Sequence, residues 1–222
     1  MDVGTPMGLA FSSGINAYLP LLSFAIAARW FHLYKVNPNF GFITQDWFLI
    51  ALVILALADL LVDKIPIADH IWDAVHTVIR PIAGALVAAA STSQVPGVGL
   101  ALPSVVGGVQ LSSVGLLVPL AAGAGLAGAG LLVPLIVGAA LAGMTHATKV
   151  VIRLASTATT AGCANTILSV VEDVVMAISV LISLLLPIVM VVVVLLFVVA
   201  FLLSAPSIAR LFRWRRRVRG SV

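Results

Sequence analysis

The chain has 222 residues, of which 62% are hydrophobic and 9% charged, and its mean hydropathy is +1.21. Soluble domains are about half apolar and about a quarter charged, so this composition excludes a water-soluble globule. The net charge of +4 does not argue for nucleic acid, because Arg210, Arg213, Arg215, Arg216, Arg217 and Arg219 crowd the end of the sequence, and a basic cluster after an apolar run marks a cytoplasmic membrane flank.

Lipid cannot hydrogen-bond bare backbone groups, so each crossing is a helix or a strand of a closed barrel. The unalternating run 174–208 is no barrel strand. At about 20 residues per crossing the chain has room for roughly six to eight helices. The expected fold is an all-α integral membrane protein, a polytopic helical bundle of about seven spans plus one short amphipathic or re-entrant helix. Residues 1–209 read as one transmembrane domain and 210–222 as a basic cytoplasmic tail. The basic tail also suits anionic lipid head groups. The single cysteine, Cys163, excludes an internal disulfide and a thiolate metal cage. Residues 1–6 lack the basic start of a signal peptide, so the first apolar segment reads as a retained helix.

In chain order, the first span is expected over 8–30, interrupted by Gly14, Asn16 and Pro20, and the second over 47–62. Trp30, Tyr34 and Trp47 between them suit an interfacial belt. The polar stretch 63–81 follows. At helical spacing Asp69, Asp73, His76 and Arg80 form one stripe, while Ile71, Trp72, Val75 and Ile79 lie away from it. Pro66 starts this amphipathic helix and Pro81 ends or kinks it. Breaks at Pro103, Pro119 and Pro134 divide the next apolar region into helices near 82–102, 105–127 and 130–154. Its small residues, among them Gly123, Gly125, Gly128, Gly130, Ala139 and Gly143, suit close helix packing. The last spans are 165–186 and 188–209, with a turn or sharp kink near Pro187. Seven crossings put Arg29, Lys35, Lys149 and Arg153 on the cytoplasmic side with the C-terminus.

An internal duplication is suggested by 8–17 laid on 138–147, which matches Asn16 to His146 and leads in each unit to an acidic helix, at Asp59 or at Glu172 and Asp173. The repeat units would be 8–64 and 138–186.

These motifs resemble a known family. Asn16 to Pro20, Asp63-Lys64-x-Pro66-x-x-Asp69-x-x-x-Asp73, Arg80-Pro81-x-x-Gly84-Ala85, Thr145-His146-Ala147-x-Lys149 and Glu172-Asp173 occur in the order seen in the uncharacterised bacterial membrane family DUF4126. The resemblance covers about 8–188. Asp59 departs from it, standing where a glutamate is expected. It implies a multi-pass bundle and carries no activity.

Ionisable groups inside a membrane cost a few kcal/mol each and face a protein interior or a wet cavity. Asn16, Asp59, Asp63, His146, Lys149, Arg153, Glu172 and Asp173 qualify, with the acids of the second and sixth spans expected to face the bases of the fifth. Two readings stand side by side: a buried ion-pair network that fixes helix register, or a proton relay or ion site at mid-membrane, with His146 as its titrating member. The stripe Asp69, His70, Asp73, His76 and Arg80 supplies too few ligands for a metal from one helix, so no metal site is assigned. No Walker loop, Gly-rich dinucleotide turn or His-Glu-x-x-His motif names a cofactor. The expected function is a small transporter, channel or lipid-translocating protein of the cytoplasmic (inner) membrane, proton- or cation-linked. Its rivals are a non-catalytic subunit or assembly factor that packs in a larger complex, and a lipid-phosphate enzyme at Lys64 and Arg80. The partners expected are membrane lipids and other membrane subunits or a second copy, with no nucleic acid.

Overall fold

A computed structural model describes residues 3–62, 66–92, 131–160 and 164–219; for 66–71 and 205–219 it describes the helical backbone alone. Asp63, Lys64, Gly123, Gly125, Gly128, Gly130 and the helix expected at 105–127 lie outside the described residues, as do the side chains of Asp69 and His70. Every regular element among the described residues is helical: α1 (Gly4–Ser13), α2 (Leu19–Arg29), a 3₁₀ segment (Pro38–Thr44), α3 (Asp46–Val62), α4 (Pro66–Ser91), α5 (Leu132–Thr160), α6 (Asn165–Leu185) and α7 (Pro187–Arg219). Four helices are long and apolar enough to cross a membrane, at Trp72–Ser91, Leu132–Thr160, Asn165–Leu185 and Pro187–Ser204. A fifth is reached if the 3₁₀ segment and α3, bent by 64°, count as one span. The chain is a helical membrane protein.

The expected first crossing is instead a re-entrant hairpin. At 1.5 Å per residue, α1 and α2 are each only about 15 Å long, half a bilayer. Thr5, at the start of α1, lies 3.5 Å by its hydroxyl from the hydroxyl of Tyr34, beyond the end of α2. Both ends of the pair therefore share one face, and its tip at 14–18 is buried in the bundle. Gly14 and Asn16 make the tip possible, since the Asn16 side-chain oxygen accepts from the backbone N–H of Tyr18 (3.0 Å) and Leu19 (2.9 Å). Those are the bare donors that begin α2.

Around this hairpin the long helices alternate. Gly8 packs on both Ser183 of α6 and Met190 of α7, while Gly4 packs on Pro187. Farther along α1, Phe11 meets Phe197 edge-on at 4.9 Å. The chain thus doubles back at Leu186, as the proline there led one to expect. The Tyr34 hydroxyl donates to the Leu184 carbonyl (2.5 Å) and the Asn37 backbone N–H to Ala90 O (3.0 Å). The loop after α2, the end of α4 and the α6–α7 turn consequently occupy one face. Arg29 is on that face too, paired at 2.6 Å with Asp46, opposite the basic end of α7. Its expected place beside the C-terminus is overturned, because the hairpin returns where a span would have crossed. The segments aligned as a repeat also differ in structure: 8–17 leaves its helix after Ser13, whereas 138–147 is helical throughout.

Helix α4 runs unbroken through Pro81. Proline removes one backbone N–H and frees the carbonyl four residues earlier, a defect that membrane helices tolerate when neighbours pack around it. The amphipathic stretch and the following apolar stretch are therefore one helix. It crosses α5 closely at two glycines. A Cβ on Gly84 would stand 2.7 Å from the Gly138 carbonyl oxygen, and one on Gly138 would stand 2.6 Å from the Ala88 Cβ. On the outside, Ile50, Ile54, Leu57 and Leu61 of α3 and Leu195, Leu196, Leu202 and Leu203 of α7 are exposed, as lipid contact requires.

Gly138→Ala should therefore lower stability by about 1–3 kcal/mol through overpacking. Gly143→Ala, where a Cβ would find only Pro81 Cγ at 3.8 Å, should be neutral or slightly stabilising. Thermal unfolding of the two purified variants in detergent checks the contrast, and equal loss in both would contradict it.

Candidate functional site

The inward face of α4 carries Asp73, His76 and Arg80 at helical spacing, and all three are buried. Amphipathic periodicity is the same whether the polar face meets water or other protein. Here it meets protein. Arg80, 0% exposed, is the centre of the site. Its guanidinium lies 3.4 Å from Asp73 Oδ1 and 3.7 Å from Asp59 Oδ1, and Nη1 donates to His146 Nδ1 at 2.8 Å.

On the far side of Asp73 stands a second arginine. Arg153 Nη1 lies 3.7 Å from Asp73 Oδ2, while its Nη2 and Nε donate to Glu172 Oε2 (2.6 Å) and Oε1 (3.3 Å). Lys149 Nζ stands 3.3 Å from Glu172 Oε2 and donates to the Ile15 carbonyl, also at 3.3 Å, in the hairpin tip. Charges thus alternate along Asp59, Arg80, Asp73, Arg153, Glu172 and Lys149, three acids against three bases, and the row ends on a backbone carbonyl. Four helices supply it: α3, α4, α5 and α6. In lipid such balance is what makes the charges tolerable.

The hydrogen bonds fix the tautomer of His146. Arginine can only donate, so Nδ1 is the lone-pair nitrogen. The Thr77 hydroxyl gives its proton to the Asp73 carbonyl (3.0 Å) and accepts from His146 Nε2 (3.2 Å). His146 is consequently a neutral ring clamped between Arg80 and Thr77. Tautomer logic also orients His76: Nδ1 donates to the Trp72 carbonyl (2.9 Å), which aims Nε2 at Asp59 Oδ1 across 3.6 Å. Among the described residues Asp59 Oδ2 and Arg80 Nε and Nη2 are buried without a hydrogen-bond partner. A cavity of about 200 Å³ opens alongside, lined by Asp73, Ala74, Thr77, Val150, Arg153 and Leu154.

The expected acids and bases of α3, α5 and α6 do converge, and Asp73, His76 and Arg80 join them. Asn16 lies at the hairpin tip as a helix cap, with its side-chain oxygen on α2. Asp173 is half-buried beside Glu172. Among the described residues no group of three or more metal-ligating side chains is assembled. Three participants carry no warning in the sequence. Periodicity places Trp72 away from the stripe, yet its indole Nε1 donates to Asp59 Oδ1 at 2.7 Å. Thr77 and the Ile15 carbonyl are the others. Threonine is commonplace in membrane helices and a backbone carbonyl has no signature.

Arg80 and Glu172 each lie roughly 10–12 Å along the axis from the start of their apolar stretches, on the side away from the Leu186 turn.

A family description matches residues 3–129 and 112–207 of this chain, namely domain of unknown function (DUF4126). The chain belongs to the DUF4126 family. No curated protein and no solved structure matches it. For this DUF4126 protein the Asp73–Arg153–Glu172 bridge makes a stability prediction. Arg153→Met should cost about 3–5 kcal/mol by leaving Asp73 with Arg80 alone and Glu172 with Lys149 alone, an uncompensated negative charge in the row, whereas Arg153→Met with Glu172→Met should recover most of that loss by restoring the balance. A double-mutant cycle on unfolding in detergent measures it, and additive losses would contradict the pairing.

Proposed function

We propose that this protein is a small proton-linked transporter of the cytoplasmic membrane, its path running beside the hairpin tip and the α4–α5 cavity. The observation that carries the proposal is His146 held neutral against Arg80. A proton on Nδ1 would remove the acceptor and set two cations 2.8 Å apart. Arg80 would then move toward Asp59, whose Oδ2 has no hydrogen-bond partner among the described residues and whose Oδ1 lies 3.7 Å away. A buried group with two alternative partners is a two-state element that a proton biases.

The topology follows from charge. We place the basic end of α7 in the cytoplasm, which puts the α6–α7 turn, Arg29 and Lys35 outside and the acid–base row in the cytoplasmic half. Asp59 on Arg80 and Glu172 on Arg153 supply two acid–arginine pairs joined through Asp73. The rivals have less support. Among the described residues Gly4, Gly8, Gly14, Gly84 and Gly138 pack within the chain, which leaves Gly143 as the glycine of the expected close-packing set open to a partner subunit. Arg80 is enclosed by protein, so it does not present itself to a lipid phosphate.

Purified protein in vesicles loaded with a pH-sensitive dye should carry protons under an imposed potential. His146→Ala should lower that flux about tenfold or more, the weight of roughly 1.4 kcal/mol on a barrier, with the unfolding temperature unchanged within a few degrees. Folded wild-type protein no more conductive than empty vesicles would end the proposal. Flux that merely tracks the amount of folded variant would assign the network to structure alone.

A further inference from the structure

The geometry points to a monovalent-cation site at the hairpin tip, which this chain fills with its own Lys149 ammonium. Helix α1 ends inside the bundle, where the last carbonyls of a helix carry partial negative charge and lack intrahelical donors. The Phe11 and Ser12 carbonyls are met by Gly14, Ile15 and Asn16 N–H groups. The Ile15 carbonyl, two residues past the end of α1, instead faces Lys149 Nζ at 3.3 Å, and Glu172 Oε2, which Arg153 also holds at 2.6 Å, stands equally far from that ammonium. A backbone carbonyl from an interrupted helix together with a carboxylate is the kind of oxygen set that holds monovalent cations in membrane proteins. The other pole of the tip is closed, because Asn16 Oδ1 already takes the first N–H groups of α2. The tip therefore presents only its negative end.

Lys149 is 5% exposed, and both oxygens lie 3.3 Å from its ammonium. An ammonium matches potassium in charge and closely in size. Taking the side chain away leaves Glu172 with one base fewer and Ile15 O without its donor, a vacancy of unit charge that a potassium or ammonium ion can occupy. One consequence rests on the transport reading above: with the cation covalently built in, sodium and potassium gradients do not act through this site, which leaves the proton as its coupling ion.

The test is thermal unfolding of full-length Lys149→Ala in potassium, ammonium or choline chloride at equal ionic strength. The variant midpoint should rise by about 3 °C or more in potassium or ammonium over choline, as ligand linkage predicts at several times Kd. The wild type should be indifferent to the choice. Adding Glu172→Gln should abolish the variant's response. The inference is overturned if Lys149→Ala unfolds alike in all three salts, if it cannot be recovered folded even in potassium, or if the wild type responds equally. Because the readout is stability, its outcome is independent of whether vesicles show proton flux.

Discussion

Asp73 sits between two arginines, and that bridge governs the rest of the bundle. In water an exposed ion pair is worth little, since solvent screens both charges. Between helices in lipid no such screen exists, and a stranded charge is costly. Arg80 and Arg153 belong to different helices and can be neutralised together only if α4 and α5 hold one axial register. Asp59 then fixes α3 against Arg80, and Glu172 fixes α6 against Arg153. The apolar contacts could slide by a turn with little loss, whereas the alternation of signs could not.

Close approach serves the same end. The Gly84–Gly138 crossing brings α4 and α5 together one turn beyond Arg80, and the tip of the α1–α2 hairpin fits against Ala142 and Thr145 because Gly14 has no side chain. Along α6 the buried stripe includes Ser169, Ser179 and Ser183, small polar residues that face the hairpin while Val174, Ile178 and Leu181 face outward. Thr5 donates to the Ser183 carbonyl at 2.9 Å at the end remote from the charges. The hairpin is thus gripped at its base by hydrogen bonds and at its tip by Lys149.

Much of this was legible before any coordinates. The helices α3 and α6 fall close to their expected bounds, because lipid admits only long apolar helices and the chain marks their ends with proline and polar residues, whereas α5 and α7 start as expected and run on past 154 and 209 to Thr160 and Arg219. The acids and bases of α3, α5 and α6 announced themselves by being charged where apolar residues would do. Direction was harder to read. Residues 8–30 are long enough to cross once, and hydropathy does not distinguish one crossing from two half-crossings; Gly14, Asn16 and Pro20 were the signs of the break. That misreading carried Arg29 and Lys35 to the wrong face. Pro81 looked like a terminus because the rule comes from helices whose freed carbonyls meet water. The inward stripe of α4 was visible as a stripe, but its partners lie far away in sequence, and only the fold brings Trp72 to Asp59 or Arg80 to His146.

The enclosure of α1 has a bearing on how the molecule is made. This ten-residue helix is synthesised before α6 and α7, yet the groove that receives it is built partly from those two later helices. Alone it is too short to span a bilayer, so insertion machinery has little reason to leave it in the lipid. Its final seat must wait until the last hairpin is in place, when the interior it completes first becomes sealed from water.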